Sequence, residues 1–216
     1  MHYGVFHGKF ADQREERILI LGESHRITKE KDRETDKEPG KRASYPTSAV
    51  VVSHLDPENK EKHSFFTKIA ATFGFAEPEQ ADFWYQVYFG NYIDVLCDVR
   101  TSYAKNKIKE ENNREKYNKQ LFDFICDHKI KKLFCFSVLT YENLPKLEGN
   151  EKAIKTPIGY RGNRQVYLRR CTYKKGVAHP GLPVLKQDLT VYGISHPSAC
   201  GGYSLELFEE TLKGQF

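Results

Sequence analysis

Three short apolar runs, each closing on glycine or a polar turn, constrain this chain more than any other feature. Arg17-Ile18-Leu19-Ile20-Leu21-Gly22 is the clearest, and Lys132 to Leu139 and Leu189 to Ile194 repeat its form. Runs of that length, with no polar alternation, suit strands covered on both faces, as in a parallel sheet. Helical spacing appears between them. Phe65, Phe66, Ile69, Ala70 and Phe73 recur every three to four residues until Gly74 stops the pattern. Lys105 to Lys119 is heavily charged and leads into Leu121, Phe122, Phe124 and Ile125, as in a helix whose later turns dock on a core. Thr47 to Leu55 leaves helix and strand open, because Val50-Val51-Val52 is β-branched. Gln86 to Leu96 has room for a further strand, Ile158 to Tyr173 predicts a hairpin turning at Gly162-Asn163, and Leu205 onward suits a terminal helix. Strands alternating with helices predict an α/β layer architecture with a mainly parallel sheet.

The length of 216 residues suits one domain over 1–216 with a sizeable core. Its 27 Phe and Tyr residues argue against disorder. No apolar run approaches the roughly 18–20 residues that span a bilayer, and Met1 to Lys9 lacks an apolar signal core. A soluble, cytoplasmic protein without a membrane partner is expected. Cys97, Cys126, Cys135, Cys171 and Cys200 form no C-x-x-C pair, so neither a disulfide framework nor a Cys-rich metal site is expected. Cys135, inside Leu133-Phe134-Cys135-Phe136, reads as a small core residue. From Lys29 to Arg42, 11 of 14 residues are charged, which predicts a solvated loop over 29–46, placed where it could act as a lid.

In open parallel sheets ligands gather at the carboxyl ends of the strands. Two strands here end in polar, turn-forming clusters. The first gives Gly22-Glu23-Ser24-His25; the last gives Ser195-His196-Pro197-Ser198. Glycine after a strand admits a close ligand, and Pro197 stiffens the turn that carries His196. His54 and His63 flank an Asp-Pro turn and His128 adjoins a lysine cluster; all three read as surface residues, and His179-Pro180-Gly181 has no matching role. No metal-ligand spacing is present, and no metal is expected.

These two clusters together resemble the motif pair of the uracil-DNA glycosylase superfamily, whose members carry G-Q-D-P-Y-H, G-E-A-P-G or G-x-N-P-G first and H-P-S or N-P-S last. Phe89-Gly90-Asn91-Tyr92 resembles the strand segment whose asparagine reads the uracil edge. The resemblance covers most of the chain. It implies a three-layer sandwich around a central, mainly parallel four-stranded sheet, a monomer without cofactor, and base excision from single- or double-stranded DNA. Excision places positive charge on the sugar and negative charge on the base. By resemblance, His196 donates to the base carbonyl, a preorganised contact of the kind worth about 2.7–4 kcal/mol. Asn91 reads the flipped base, Ser195, Pro197 and Ser198 shape the loop against the DNA backbone, and Gly22 and Phe89 line the base site. Tyr45, Phe65 and Phe66 are candidates to stack on the base.

The first motif departs sharply. Ser24 stands where the most active members place Asp, and His25 where nearly all place Pro. A serine hydroxyl positions water only weakly. Either His25 or Glu23 activates water, or the enzyme is slow or altered, or catalysis is lost and nucleic-acid binding kept. Gly-Glu-Ser-His also resembles the G-E-x-x-H or G-E-x-H start of erythromycin-esterase-like and haem-binding ChaN-like proteins, a third alternative. The charge pattern favours nucleic acid. Residues 151–175 hold eight basic residues against one acidic, a net +7 within a chain of +5. Within the basic hairpin (153–175), Arg161, Arg164, Arg169, Arg170, Lys174 and Lys175 alternate with tyrosines, as suits a phosphate-contacting surface.

Overall fold

The apolar runs do form buried strands. A computed structural model describes residues 4–26, 47–60, 62–97, 101–110, 113–146, 153–199 and 202–216. The charged loop 29–46, with Tyr45, lies outside the described residues. Strands β2 (Arg17–Gly22), β6 (Ile130–Cys135) and β9 (Leu189–Gly193) match the three runs, and β4 (Tyr88–Asn91) falls inside the aromatic segment. Ile18, Leu19, Ile20 and Leu21 are all fully buried, which is why their run shows no alternation.

The sheet is mixed and seven-stranded, not the four-stranded sheet expected. Its order is β1 (Phe6–His7), β4, β2, β6, β9, β8 (Arg164–Tyr173) and β7 (Ile154–Arg161). Parallel pairing links β4, β2, β6 and β9. Antiparallel strands extend both sides: β1 (Phe6–His7) on β4, and the hairpin of β7 (Ile154–Arg161) and β8 (Arg164–Tyr173) on β9. The hairpin joins because its inner strand buries Val166 and Cys171 on opposite faces of the same sheet. Its two-residue turn puts Gly162 at φ 58°, a conformation glycine adopts without steric cost. A separate two-stranded sheet pairs β3 (His25–Arg26) with β5 (Leu96–Cys97).

Helices cover both faces. On one lie α1 (Thr47–Leu55), α2 (Ser64–Thr72), α3 (Gln80–Trp84) and α7 (Leu205–Leu212), burying Val51, Phe66, Ile69, Trp84 and Phe208. On the other lie α4 (Thr101–Lys109) and α5 (Asn113–Asp127), with α6 (Val138–Glu142) after β6. The single helix expected from Lys105 onward is therefore two, and Val138-Leu139 belongs to α6 rather than to the strand. Ser137 starts α6 by accepting from the Thr140 N–H at 3.4 Å, which ends β6 at that point. Among the described residues no helix is long and apolar enough to cross a membrane.

Candidate functional site

The crossovers leaving β2 and β6 pass to opposite faces, α1 to one and α6 to the other. Their carboxyl ends therefore form a topological switch point, the place at which open α/β sheets bind ligands. The strands end together along that edge: Gly22 is opposite Asn91, and Cys135 is opposite both Leu21 and Gly193. From β4 to β9 the edge spans about 14 Å at the usual strand spacing of ~4.8 Å. Both motif clusters and Asn91 sit on it.

At the β2–β4 side the contacts are close. Gly22 is opposite Asn91, and a Cβ on Gly22 would collide with Asn91 Oδ1, so glycine is required for that side chain to lie over the strand end. Asn91 Nδ2 donates to Thr47 Oγ1 at 3.4 Å, and Thr47 Oγ1 is also hydrogen-bonded to His25 Nε2 at 2.6 Å. Thr47 begins α1 and is buried, and the next residue, Ser48, donates its N–H to Gly4 O at 2.7 Å. The chain of His25, Thr47 and Asn91 carried no sequence signal, since its members lie 22 and 44 residues apart.

Glu23 turns to a different partner. It is buried and accepts from Ser137 Oγ at 2.7 Å, tying the end of β2 to the start of α6. Glu23 and His25 thus bond to separate elements, Glu23 to Ser137 before α6 and His25 to Thr47 of α1. Ser24 lies between them. Among the described residues its Oγ is shielded from solvent and has no hydrogen-bond partner.

At the β9 side, the turn after Ser195 closes with the Ala199 N–H donating to His196 O at 2.8 Å. The Ser198 N–H donates to His196 Nδ1 at 3.1 Å. An imidazole that accepts at Nδ1 carries its hydrogen on Nε2 when neutral. Phe65 of α2 stacks on the ring, centroids 5.1 Å apart and planes 26° from parallel, and Lys68 Nζ donates to Pro197 O at 3.3 Å. Phe65 also touches Phe89 at 6.2 Å, linking the two sides of the site. Among the stacking candidates, Phe66 is core, packed on Trp84 and Phe89. Phe89 itself is 2% exposed within that aromatic cluster, so it supports the site from beneath instead of lining it.

The basic hairpin stands beside this edge. Arg169 is opposite Gly193, so the residues from Arg164 to Leu168 run past the end of β9, about 17 Å of strand. Strand alternation divides its cations. Arg161, Arg164 and Arg170 share one face with Val166 and Leu168; Lys155 and Arg169 share the other with Tyr160 and Tyr167. Arg161 Nη1 donates to Tyr203 O at 2.7 Å, which ties the hairpin to the segment after the His196 loop. Arg169 lies 3.9 Å from Glu142, and Lys174 pairs with Asp188 at 3.1 Å. The structure does not gather the six hairpin cations on one surface: Lys174 and Lys175 are both engaged with Asp188, the latter through its backbone N–H.

The surface reading of the histidines needs correction at His54. It is buried under α2 against Phe66, and burial, followed by the nearby His63 and Lys62, pushes it down to about 4. His63 is exposed as expected, while His128 is half-buried and stacks on Phe124 at 4.2 Å. Cys135 is core, and desolvation raises its thiol well above the ordinary range. Among the described residues no group of three or more His, Cys, Asp or Glu side chains is arranged to hold a metal ion. No protein-family model matches the chain, and comparison with curated proteins finds no relative.

Proposed function

We propose that the protein is a DNA glycosylase-like enzyme that hydrolyses the N-glycosidic bond of uracil or a related damaged base in DNA, within a uracil-DNA glycosylase-like fold. The observation that carries this is the hydrogen bond from the Ser198 N–H to His196 Nδ1. It leaves the neutral ring with Nε2–H as its donor, on a turn beyond the last parallel strand, where a leaving base anion needs one. Asn91, three strands away along the same edge, supplies an amide to read the Watson–Crick edge of the extruded base. The hairpin beside them offers Arg164 and Arg170 to phosphates.

Water activation is the weaker half of the chemistry. Glu23 bonds Ser137 and His25 bonds Thr47, which leaves the Ser24 hydroxyl, without a partner among the described residues, as the group to orient water. A hydroxyl is a poor base, and slow turnover follows. The same observation favours a second reading, in which the site binds the base and the chain does not cleave it.

Labelled oligonucleotides bearing uracil, hypoxanthine, xanthine or a thymine mismatch, scored for alkali-labile abasic sites, test the proposal. Release of one base, abolished in His196→Ala, is the expected result. DNA binding with no release of any base, and affinity unchanged in His196→Ala, leaves only the binding module.

A further inference from the structure

We propose that the hairpin face carrying Tyr160, Tyr167 and Lys155 is a second nucleic-acid site, on which an unpaired stretch of DNA stacks a base on Tyr160 and sets a phosphate against Lys155. This face is opposite the one that holds Arg164 and Arg170. It takes only the choice of DNA from the proposed function. An irregularity of the strand builds it. Tyr160 is opposite Gln165, Pro157 is opposite Tyr167, and Lys155 is opposite Arg169. Strict alternation along β7 would put Tyr160 on the other side from Pro157 and Lys155, since odd separations face opposite ways. The register shifts between Pro157 and Gly159, and the extra residue brings Tyr160 round to their side. Gly159 makes the shift at φ 146°, and a Cβ there would lie 2.7 Å from Leu207 Cδ2 of α7. Glycine is needed on both counts.

The re-aimed ring is open to solvent. Tyr160 is 67% exposed, while Tyr167 is half-buried. Gln165 links the two, accepting from Tyr167 Oη at 2.5 Å and donating from Nε2 to Tyr160 Oη at 3.5 Å. Lys155 Nζ stands 4.0 Å from the centroid of the Tyr167 ring. One ring therefore presents an exposed face, and its neighbour holds a cation. The chemistry chooses the occupant. Residues 153–173 contain five Lys and Arg and no Asp or Glu, which suits an anionic backbone. Arg169 is partly offset by Glu142 at 3.9 Å, so Lys155 is assigned the phosphate. Single strands offer a free π-face at every base, whereas a duplex keeps its bases stacked on one another. A protein strand fits less well, because Lys155, Pro157 and the bulge on the β7 edge all impede pairing with a further strand.

The experiment is fluorescence anisotropy of the full-length protein with a short labelled oligothymidylate, a duplex of the same length, and an oligouridylate, across a salt series. Tyr160→Ala is expected to weaken oligothymidylate binding about fivefold or more, the loss of one stacked base, while duplex binding changes much less. Tyr160→Phe, which keeps the ring, is expected to bind like the wild type. Lys155→Gln is expected to lower the single-strand salt slope by about 0.7, and it serves if Tyr160→Ala does not fold. No binding of oligothymidylate by the wild type overturns the inference, as does single-strand binding that neither substitution alters. Equal losses on duplex and single strand overturn it too, since the hairpin would then be one duplex-binding element. Tighter binding of oligouridylate through the same ring overturns the assignment to DNA. If no base is excised from any substrate, the proposed function fails, and ring-dependent binding of the single strand still supports this site.

Discussion

Two neighbouring phenylalanines on α2 serve two histidines with opposite fates. Phe65 stacks on His196 at 5.1 Å, and Phe66 packs on His54 at 5.3 Å. Each histidine accepts a backbone N–H at Nδ1, from Ser198 at 3.1 Å and from His63 at 3.2 Å. The local bond, and with it the neutral tautomer, is the same. Position in the fold separates them. His54 is sealed between α1 and α2 at 2% exposure, whereas His196 is half-buried where the sheet's carboxyl edge opens. A tautomer-fixing bond is thus no mark of a functional histidine; it becomes one when the ring stands where a ligand can reach it.

The comparison breaks most visibly at the phenylalanines. Phe66→Ala removes a buried ring from the aromatic cluster and should cost about 3–5 kcal/mol in urea unfolding. Phe65→Ala, at a half-buried position, should cost less than half of that and instead lower uracil excision or DNA binding. Equal losses of stability would mean that Phe65 is also core. At the histidines the expected pattern is similar in kind. His196→Ala should reduce single-turnover excision by about 10²–10³-fold with little change in melting temperature. His54→Ala should lower stability by about 2–4 kcal/mol while the folded fraction keeps its activity.

A pH series sharpens the same contrast. His54 is depressed in the folded state to about 4 against an ordinary value of 6.5, chiefly by burial. The unfolded chain then binds the extra proton first. The stability due to a neutral His54 is complete above pH 6.5 and is lost as pH falls from there through about 4. Thermal unfolding between pH 7.5 and 4.5 should show this decline, and His54→Leu should flatten it. A slope that persists unchanged in His54→Leu would assign it to other groups.

How far the residues announced this arrangement follows from the distance over which each feature acts. The strands β2, β6 and β9 were legible because burial on both faces writes itself as an uninterrupted apolar run. The hairpin turn was legible in Gly162-Asn163. By contrast β1 is two residues long, too short for any period, and the joining of the hairpin to the parallel strands depends on packing against β9. His54 looked like a surface residue beside Asp56-Pro57, since nothing local reveals that α2 covers it. Thr47 and Ser137 were missed for a related reason. Each acts through one hydroxyl on a partner distant in the chain, Ser137 on Glu23 across 114 residues. The six hairpin cations, expected on one surface, are divided because alternate residues of a strand face opposite ways.

That division yields the smallest and most specific expected effect. Arg164 and Arg169 lie on the same strand and carry the same charge, five residues apart and therefore on opposite faces. Arg169 is 16% exposed at its side chain and faces Glu142; Arg164 is exposed near the turn, on the face shared with Arg161 and Arg170. If DNA lies along that face, Arg164→Ala should weaken binding uniformly across sequences and reduce the slope of log affinity against log salt by about 0.9, the release of one counterion. Arg169→Ala should leave the slope unchanged and act, if at all, on stability through Glu142. Fluorescence anisotropy of a labelled duplex across a salt series measures both. A reversal, with the slope tracking Arg169, would move the DNA path to the Tyr160 and Tyr167 face. The phosphate backbone would then run on the α6 side of the sheet, away from the helices that hold Phe65 and Thr47, and the base would have to reach Asn91 across the strand ends.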